Sequence, residues 1–448
     1  MNIIEKNIEW LVVIAVVLIT TISFAHSLLS TLDIIILKIF IKYFTLLILF
    51  LVFLYQKRTY GIKIYDNHFF TFYIVYCAYV LVDMTILQRY PLDKMLAVPG
   101  SLFDYVRKFV QSIGFLLCAK TIVSHFNVKK YVLLSVIICT IPSIWYIQTV
   151  GLNTIQAGIG RDDEEYISTL AVTYANMPIM VFAMLYFKRL FNKRLFSMIL
   201  CSCIIAAVLY ILFAYGKRGP MLWSFVSVFC CYMIKSKSFL VNKKILLFIL
   251  IIATFVIYMD PILDVIKKTL PKTGNKLELS LKEGDTSHRL DTNDAENSTY
   301  LIGIENFSQS PVWGYYFRLV TNNREFQGVY AHNVFIEILM TMGILGFIPF
   351  MMLLFKAYRK SRMIIRHSNS PNHMACFILF ICVFLQLQTT ASCMFRDSFW
   401  LFFYILCSLD KFGRKVSFSS RLKLCNPSRL RTIYINLKYK SNNYSTML

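Results

Sequence analysis

The chain has 448 residues, 57% of them hydrophobic and 16% charged, with a formal net charge of +23. Soluble proteins run at about 45–50% apolar and about 25% charged, so this balance excludes an ordinary soluble domain. The apolar residues fall in runs of roughly twenty, long enough for a hydrocarbon core of about 30 Å, and the alternating segments of a β-barrel are not visible.

In chain order, these runs predict spans near residues 10–30, 34–55, 69–88, 105–124, 131–150, 167–187, 195–215, 221–234, 245–258, 334–355, 374–394 and 399–409. The first run is too long for the apolar core of a signal peptide and is read as a retained helix. The expected fold is therefore all-α, a polytopic membrane bundle of about twelve transmembrane helices with one large outward-facing loop that carries short helices. It divides into a first set of helices within residues 1–259, the loop at 260–332, the last helices within 333–410, and a basic tail at 411–448.

The positive charge has a pattern. Alternate connections are basic: Lys57, Arg58 and Lys63, then Lys129 and Lys130, then Lys188 to Arg194, then Lys235 to Lys244, then Lys356 to Arg366. The positive-inside rule puts these connections, the tail and both termini in the cytoplasm, so nucleic acid is not needed to explain the charge. The remaining connections face outward. They include the acidic run Asp162 to Glu165, the turn GKRGP from Gly216 to Pro220, the long loop, and the turn at Arg396 and Asp397.

Only the long loop can enclose a volume, and loops of that length are usually functional or disordered. Within it Tyr300, Leu301, Ile304 and Phe307 fall at helical spacing and Ser310-Pro311 supplies a stop. The aromatic passage SPVWGYYF, Ser310 to Phe317, then leads back to His332, directly before the apolar run that begins at Val334.

His332 is the candidate catalytic residue, since an imidazole at a membrane surface is suited to act as a general base near neutral pH; capping or packing is the other use of a histidine there. Asn333 and Glu337 lie four apart on one helical face beside it, and Glu337, deeper in the apolar run, needs a partner or a proton. Arg218, with Lys217 next to it, lies in a turn too tight to leave its side chain in bulk water, so it meets an anion or snorkels outward. Arg289 and Arg318 are further candidate anion ligands, although Arg289 has Asp291, Asp294 and Glu296 nearby as pairing partners. Lys38 and Lys42 either snorkel or meet a lipid phosphate. Gly343 and Gly346 are read as helix-packing contacts.

The twelve cysteines show no disulfide framework and no zinc spacing, and Asp162 to Glu165 reads as a solvated loop, so no metal and no cofactor are expected. There is no P-loop, GxGxxG, GxSxG or HExxH, which removes motif support for nucleotide binding, serine hydrolysis and zinc proteolysis.

The ordered set of an arginine-bearing turn (GKRGP), a loop passage SPVWGYYF and then AHNVFIEILMTMGILG resembles the bacterial O-antigen polymerase and O-antigen ligase superfamily. The resemblance covers about residues 299–350 plus the GKRGP turn. It implies a membrane glycosyltransferase that takes a glycan from undecaprenyl pyrophosphate at the outer face of the bacterial inner membrane. It further implies that His332 acts as base or positions the acceptor, and that Arg218 and Arg289 bind pyrophosphate; LDTN after Arg289 departs from the aromatic expected there.

The expected function is polymerisation of lipid-linked oligosaccharide repeat units into a surface polysaccharide, with the O-antigen ligase reaction to lipid A-core as the alternative. The expected partners are the lipid-linked donor and acceptor, the bilayer and a chain-length regulator. A flippase would instead place charges along the middle of several spans.

Overall fold

A computed structural model describes residues 2–31, 35–85, 102–151, 169–191, 193–215, 218–235, 267–268, 299–314, 333–367, 371–388, 393 and 396–412. Among these the structure is almost entirely helical, with no strand. In order the helices are α1 (Asn2–Thr31), α2 (Ile35–Thr59), α3 (Asn67–Thr85), α4 (Leu102–Leu117), α5 (Ala119–His125), α6 (Val128–Ser135) and α7 (Ile141–Val150). There follow α8 (Thr169–Leu185), α9 (Arg194–Tyr215), α10 (Arg218–Lys235), α11 (Thr299–Gln309), α12 (Val334–His367), α13 (Pro371–Gln386) and α14 (Asp397–Phe412).

Three stretches are long and apolar enough to cross a membrane, Val128–Val150, Arg194–Tyr215 and Val334–Arg366, and shorter apolar helices accompany them. The span expected at 105–124 is divided at Cys118 into α4 and α5. The span expected at 131–150 runs through α6 and α7 by way of a π-helical turn, Val136–Thr140. Across that turn Asn176 of α8 takes a hydrogen bond from Thr140 (2.8 Å) and donates one to Ser143 (3.2 Å). The wider turn thus has its polar groups paired inside the bundle. The span expected at 245–258 lies outside the described residues.

The bundle is centred on α14, whose residues from Ser398 to Leu409 are all buried. A helix apolar on every face belongs inside a bundle rather than against lipid. Its aromatic side chains pack on α3, with Trp400 5.0 Å from the rings of both Tyr73 and Tyr76, and on α12 and α13 through Phe403, 5.8 Å from Phe350 and 5.6 Å from Phe380. Lipid tails are as apolar as these rings, so close packing and polar contacts hold the helices together.

The two ends of the bundle differ. One gathers the basic connections: Lys356 pairs with buried Asp66 at 2.5 Å, Lys360 with Asp410 at 2.7 Å and Lys130 with Glu9 at 3.1 Å. At the same end Tyr55 meets His125, Asn372 donates to the Val123 carbonyl, and Arg366 donates to the Ile234 carbonyl. The other end holds the start of α12 and the contacts described next.

Candidate functional site

The chain enters α12 at Asn333, whose side-chain oxygen accepts from the backbone N–H of Phe335 at 2.9 Å and of Ile336 at 3.3 Å. The N–H of Val334 donates to the carbonyl of Leu387, at the end of α13, at 3.1 Å. The first amides of the helix, which have no partner within it, are thereby satisfied. The cap fixes where the chain leaves the loop, and it commits the Asn333 oxygen to the helix.

Glu337, one turn deeper, is buried. It accepts from the Cys393 N–H at 3.1 Å, from the Cys393 thiol at 3.4 Å and from the Tyr76 hydroxyl at 3.4 Å. A carboxyl group in an apolar helix requires such partners. These bonds fasten the start of α12 to α3 and to the segment before α14. That segment is a hub: the Cys393 carbonyl accepts from the Trp400 indole at 2.9 Å, and the Gln388 carbonyl accepts from the Tyr300 hydroxyl of α11 at 2.9 Å.

α11 bears out the helix expected from the spacing of Tyr300 to Phe307, and it ends at Ser310 where a stop was expected. The turn that follows, Pro311 to Gly314, docks into a break in α12. Gly343 has φ 61° and ψ −162°, a conformation open to glycine and costly for any other residue. The break frees the N–H groups of the next turn, and those of Ile344 and Leu345 donate to the carbonyls of Pro311 (2.9 Å) and Val312 (3.2 Å). Backbone lies on backbone here: a Cβ on Gly343 would stand 2.3 Å from the Val312 oxygen, and one on Gly314 2.4 Å from the Gly343 nitrogen. Gly343 was expected to pack; its larger role is to break the helix and receive the loop.

Arg218 opens α10, with Gly219 and Pro220 in its first turn, where proline is tolerated because the amide it lacks has no helical partner. The Arg218 side chain lies outside the described residues, as do His332, Lys217, Arg289 and Arg318. Of the expected site residues, the structure therefore places Asn333 and Glu337 on one turn of one helix. Sequence reasoning missed their partners Tyr76 and Cys393, and also Asp397, whose carboxylate accepts from Gln111 at 3.0 Å and Ser112 at 2.5 Å. For Tyr76 and Cys393 the available signal was a polar group in or at the end of an apolar run; Asp397 lies in the turn between two such runs. Among the described residues no group of His, Cys, Asp and Glu could hold a metal ion.

One comparison bears on this arrangement. Residues 203–351 match the family model for O-Antigen ligase. The matched stretch runs from within α9 through all of α10, α11 and its turn, and ends beyond the break in α12. It thus contains the docked turn and the capped helix start, and the match is consistent with the O-antigen polymerase and ligase superfamily. No curated protein matches the chain. The apolar helices are long enough for a membrane protein, and residues 203–351 are similar to O-Antigen ligase.

Proposed function

We propose that the chain is a glycosyltransferase that joins lipid-linked oligosaccharide repeat units at the outer face of the bacterial inner membrane, with undecaprenyl pyrophosphate as the leaving group. The observation that carries this reading is that the O-Antigen ligase match takes in a place where loop and membrane helix are locked together, the Pro311–Gly314 turn seated in the Gly343 break. Such a lock gives a loop-borne reaction a rigid base. His332 immediately precedes the Asn333 cap in the chain, so a base there would work beside a helix N-terminus, which favours negative charge developing nearby.

In this scheme a sugar hydroxyl of the acceptor attacks the anomeric carbon of the donor, His332 takes the hydroxyl proton, and the bond to pyrophosphate breaks with its electrons going to the leaving oxygen. Arg218 and Lys217, with Arg289 and Arg318 from the loop, neutralise the pyrophosphate. Asn333 retains its amide N–H groups for the acceptor, while Glu337 holds the helix start in position. The similarity to O-Antigen ligase favours a second reading, transfer of the finished glycan to lipid A-core.

The test is the lipopolysaccharide pattern of a deletion strain complemented with wild type or His332→Ala at matched expression. His332→Ala is expected to behave as the deletion. A single repeat on the core establishes the polymerase, and bare core with polymer retained on the carrier lipid establishes the ligase. A normal ladder from His332→Ala removes His332 from the mechanism.

A further inference from the structure

Exposure along α12 changes at the Gly343 break. Among the described residues from Asn333 to Gly343 none is exposed, whereas Ile344 (43%), Leu345 (49%) and Ile348 (53%) beyond it are. The large exposed side chains that follow, Met351, Met352, Phe355 and Tyr358, are apolar or aromatic, and exposed Arg359 and Arg362 come next. From Ile344 to Tyr358 the helix rises about 21 Å. With side chains reaching past both ends, that length fits a hydrocarbon core of about 30 Å. One face of α12 therefore meets lipid tails from the break onward, while its start is enclosed by protein.

The docked turn stands at the limit of that face. Pro311 and Val312 accept from the N–H groups of Ile344 and Leu345, so the turn lies beside the first exposed residues of the helix. Its own side chains are apolar and open: Val312 is 50% exposed and Trp313 65%. α11, by contrast, exposes Glu305, Ser308 and Gln309 together with Ile304. A single exposed apolar residue needs no explanation, but an apolar patch continuous with a lipid-facing helix does. Irregular backbone enters a bilayer only where its polar groups are satisfied. Here the carbonyls of Ser310, Pro311 and Val312 accept from the N–H groups of Gly314 (2.8 Å), Ile344 (2.9 Å) and Leu345 (3.2 Å), and Pro311 has no N–H to satisfy. Three carbonyls in a row are thus paired by the protein itself, which a loop in water does not need.

We infer that the Pro311–Gly314 turn dips into the bilayer and that Val312 and Trp313 seat it at the boundary between head groups and acyl chains, with bilayer lipid as the partner. A tryptophan suits that depth, since its apolar ring meets the chains while its indole N–H meets the ester and phosphate oxygens. Tyr358 and the arginines beyond it mark the opposite boundary in the same way. Glu305, Ser308 and Gln309 then face water. The inference holds whichever end of the bundle faces outward, and it does not depend on the transferase reading.

The experiment reads the depth of Trp313 by fluorescence, without turnover. The full chain is placed in nanodiscs of phosphatidylcholine brominated near the ester end of its chains, near the methyl end, or not at all. Trp313 is one of five tryptophans, so its emission is taken as the difference between wild type and Trp313→Phe, with Trp313→Tyr as a second reference. The exposed ring leaves no cavity when it is replaced, so both references are expected to fold. Interfacial elements lie about 5–10 Å into the boundary of head groups and chains, so bromine near the ester end is expected to remove at least about half of the Trp313 emission. Bromine near the methyl end is expected to remove less, and acrylamide in the buffer little. Strong quenching by acrylamide with none by either bromolipid puts the turn in water and overturns the inference. Quenching by none of the three means that another part of the chain covers Trp313, which overturns it too. Stronger quenching from the methyl end than from the ester end overturns the placement at the boundary.

Discussion

At the scale of single residues, Gly343 carries the most structure per atom. A β-carbon there meets the Val312 carbonyl at 2.3 Å, on a backbone at φ 61° that other residues rarely adopt. Gly343→Ala is expected to cost at least about 3 kcal/mol, from strained backbone and displacement of the docked turn. Gly314→Ala should do the same from the other side of the contact. Because both changes break one interface, the double variant should cost little more than either single one, which thermal unfolding in detergent will measure. Equal, additive losses would mean that the turn and the break are independent. The sequence showed a glycine in an apolar helix, a placement that costs about 1 kcal/mol against alanine and so asks for a reason. It did not show the reason, because the positive φ at Gly343 exists only when Pro311 and Val312 supply carbonyls to Ile344 and Leu345.

At the scale of elements, what fixes the start of α12 is a set of bonds to segments remote in sequence. The expectation that Glu337 needs a partner was legible from its place in an apolar run. The partners were not: Cys393 is 56 residues away and Tyr76 261, and no local spacing links them. The same holds for Asp66, which no local spacing links to Lys356, its ion-pair partner at 2.5 Å. Local signals fared better. The α11 helix and its stop at Ser310 each follow from a few neighbouring residues, whereas the cap was weighed for His332 and falls on Asn333. Glu337→Leu is expected to leave the Cys393 N–H unsatisfied and cost about 1–3 kcal/mol. Glu337→Gln keeps an acceptor and should cost less. Thermal unfolding reads the difference; equal stability for Leu and Gln would show that the carboxyl group does not anchor the helix.

At the scale of the whole molecule, the question is which end of the bundle faces outward. Lys356, Lys360, Lys130 and Arg366 lie on elements joined to one another by ion pairs and backbone contacts at one end, while α11, the Gly343 break and the Glu337 network lie at the other. Alternating basic connections were legible in the sequence, since the positive-inside rule needs only counts. The structure adds that these connections converge on one end, so a single labelling experiment orients the site. A thiol introduced at Ser308, exposed on α11, should react with a membrane-impermeant maleimide in intact spheroplasts. A thiol at Arg359, exposed on the far half of α12, should react only after permeabilisation. Exposed Cys203 is a background thiol and is removed first in both variants. The reverse pattern would put the docked turn and the α12 start in the cytoplasm. Transfer from a lipid-linked donor at the outer face would then be excluded.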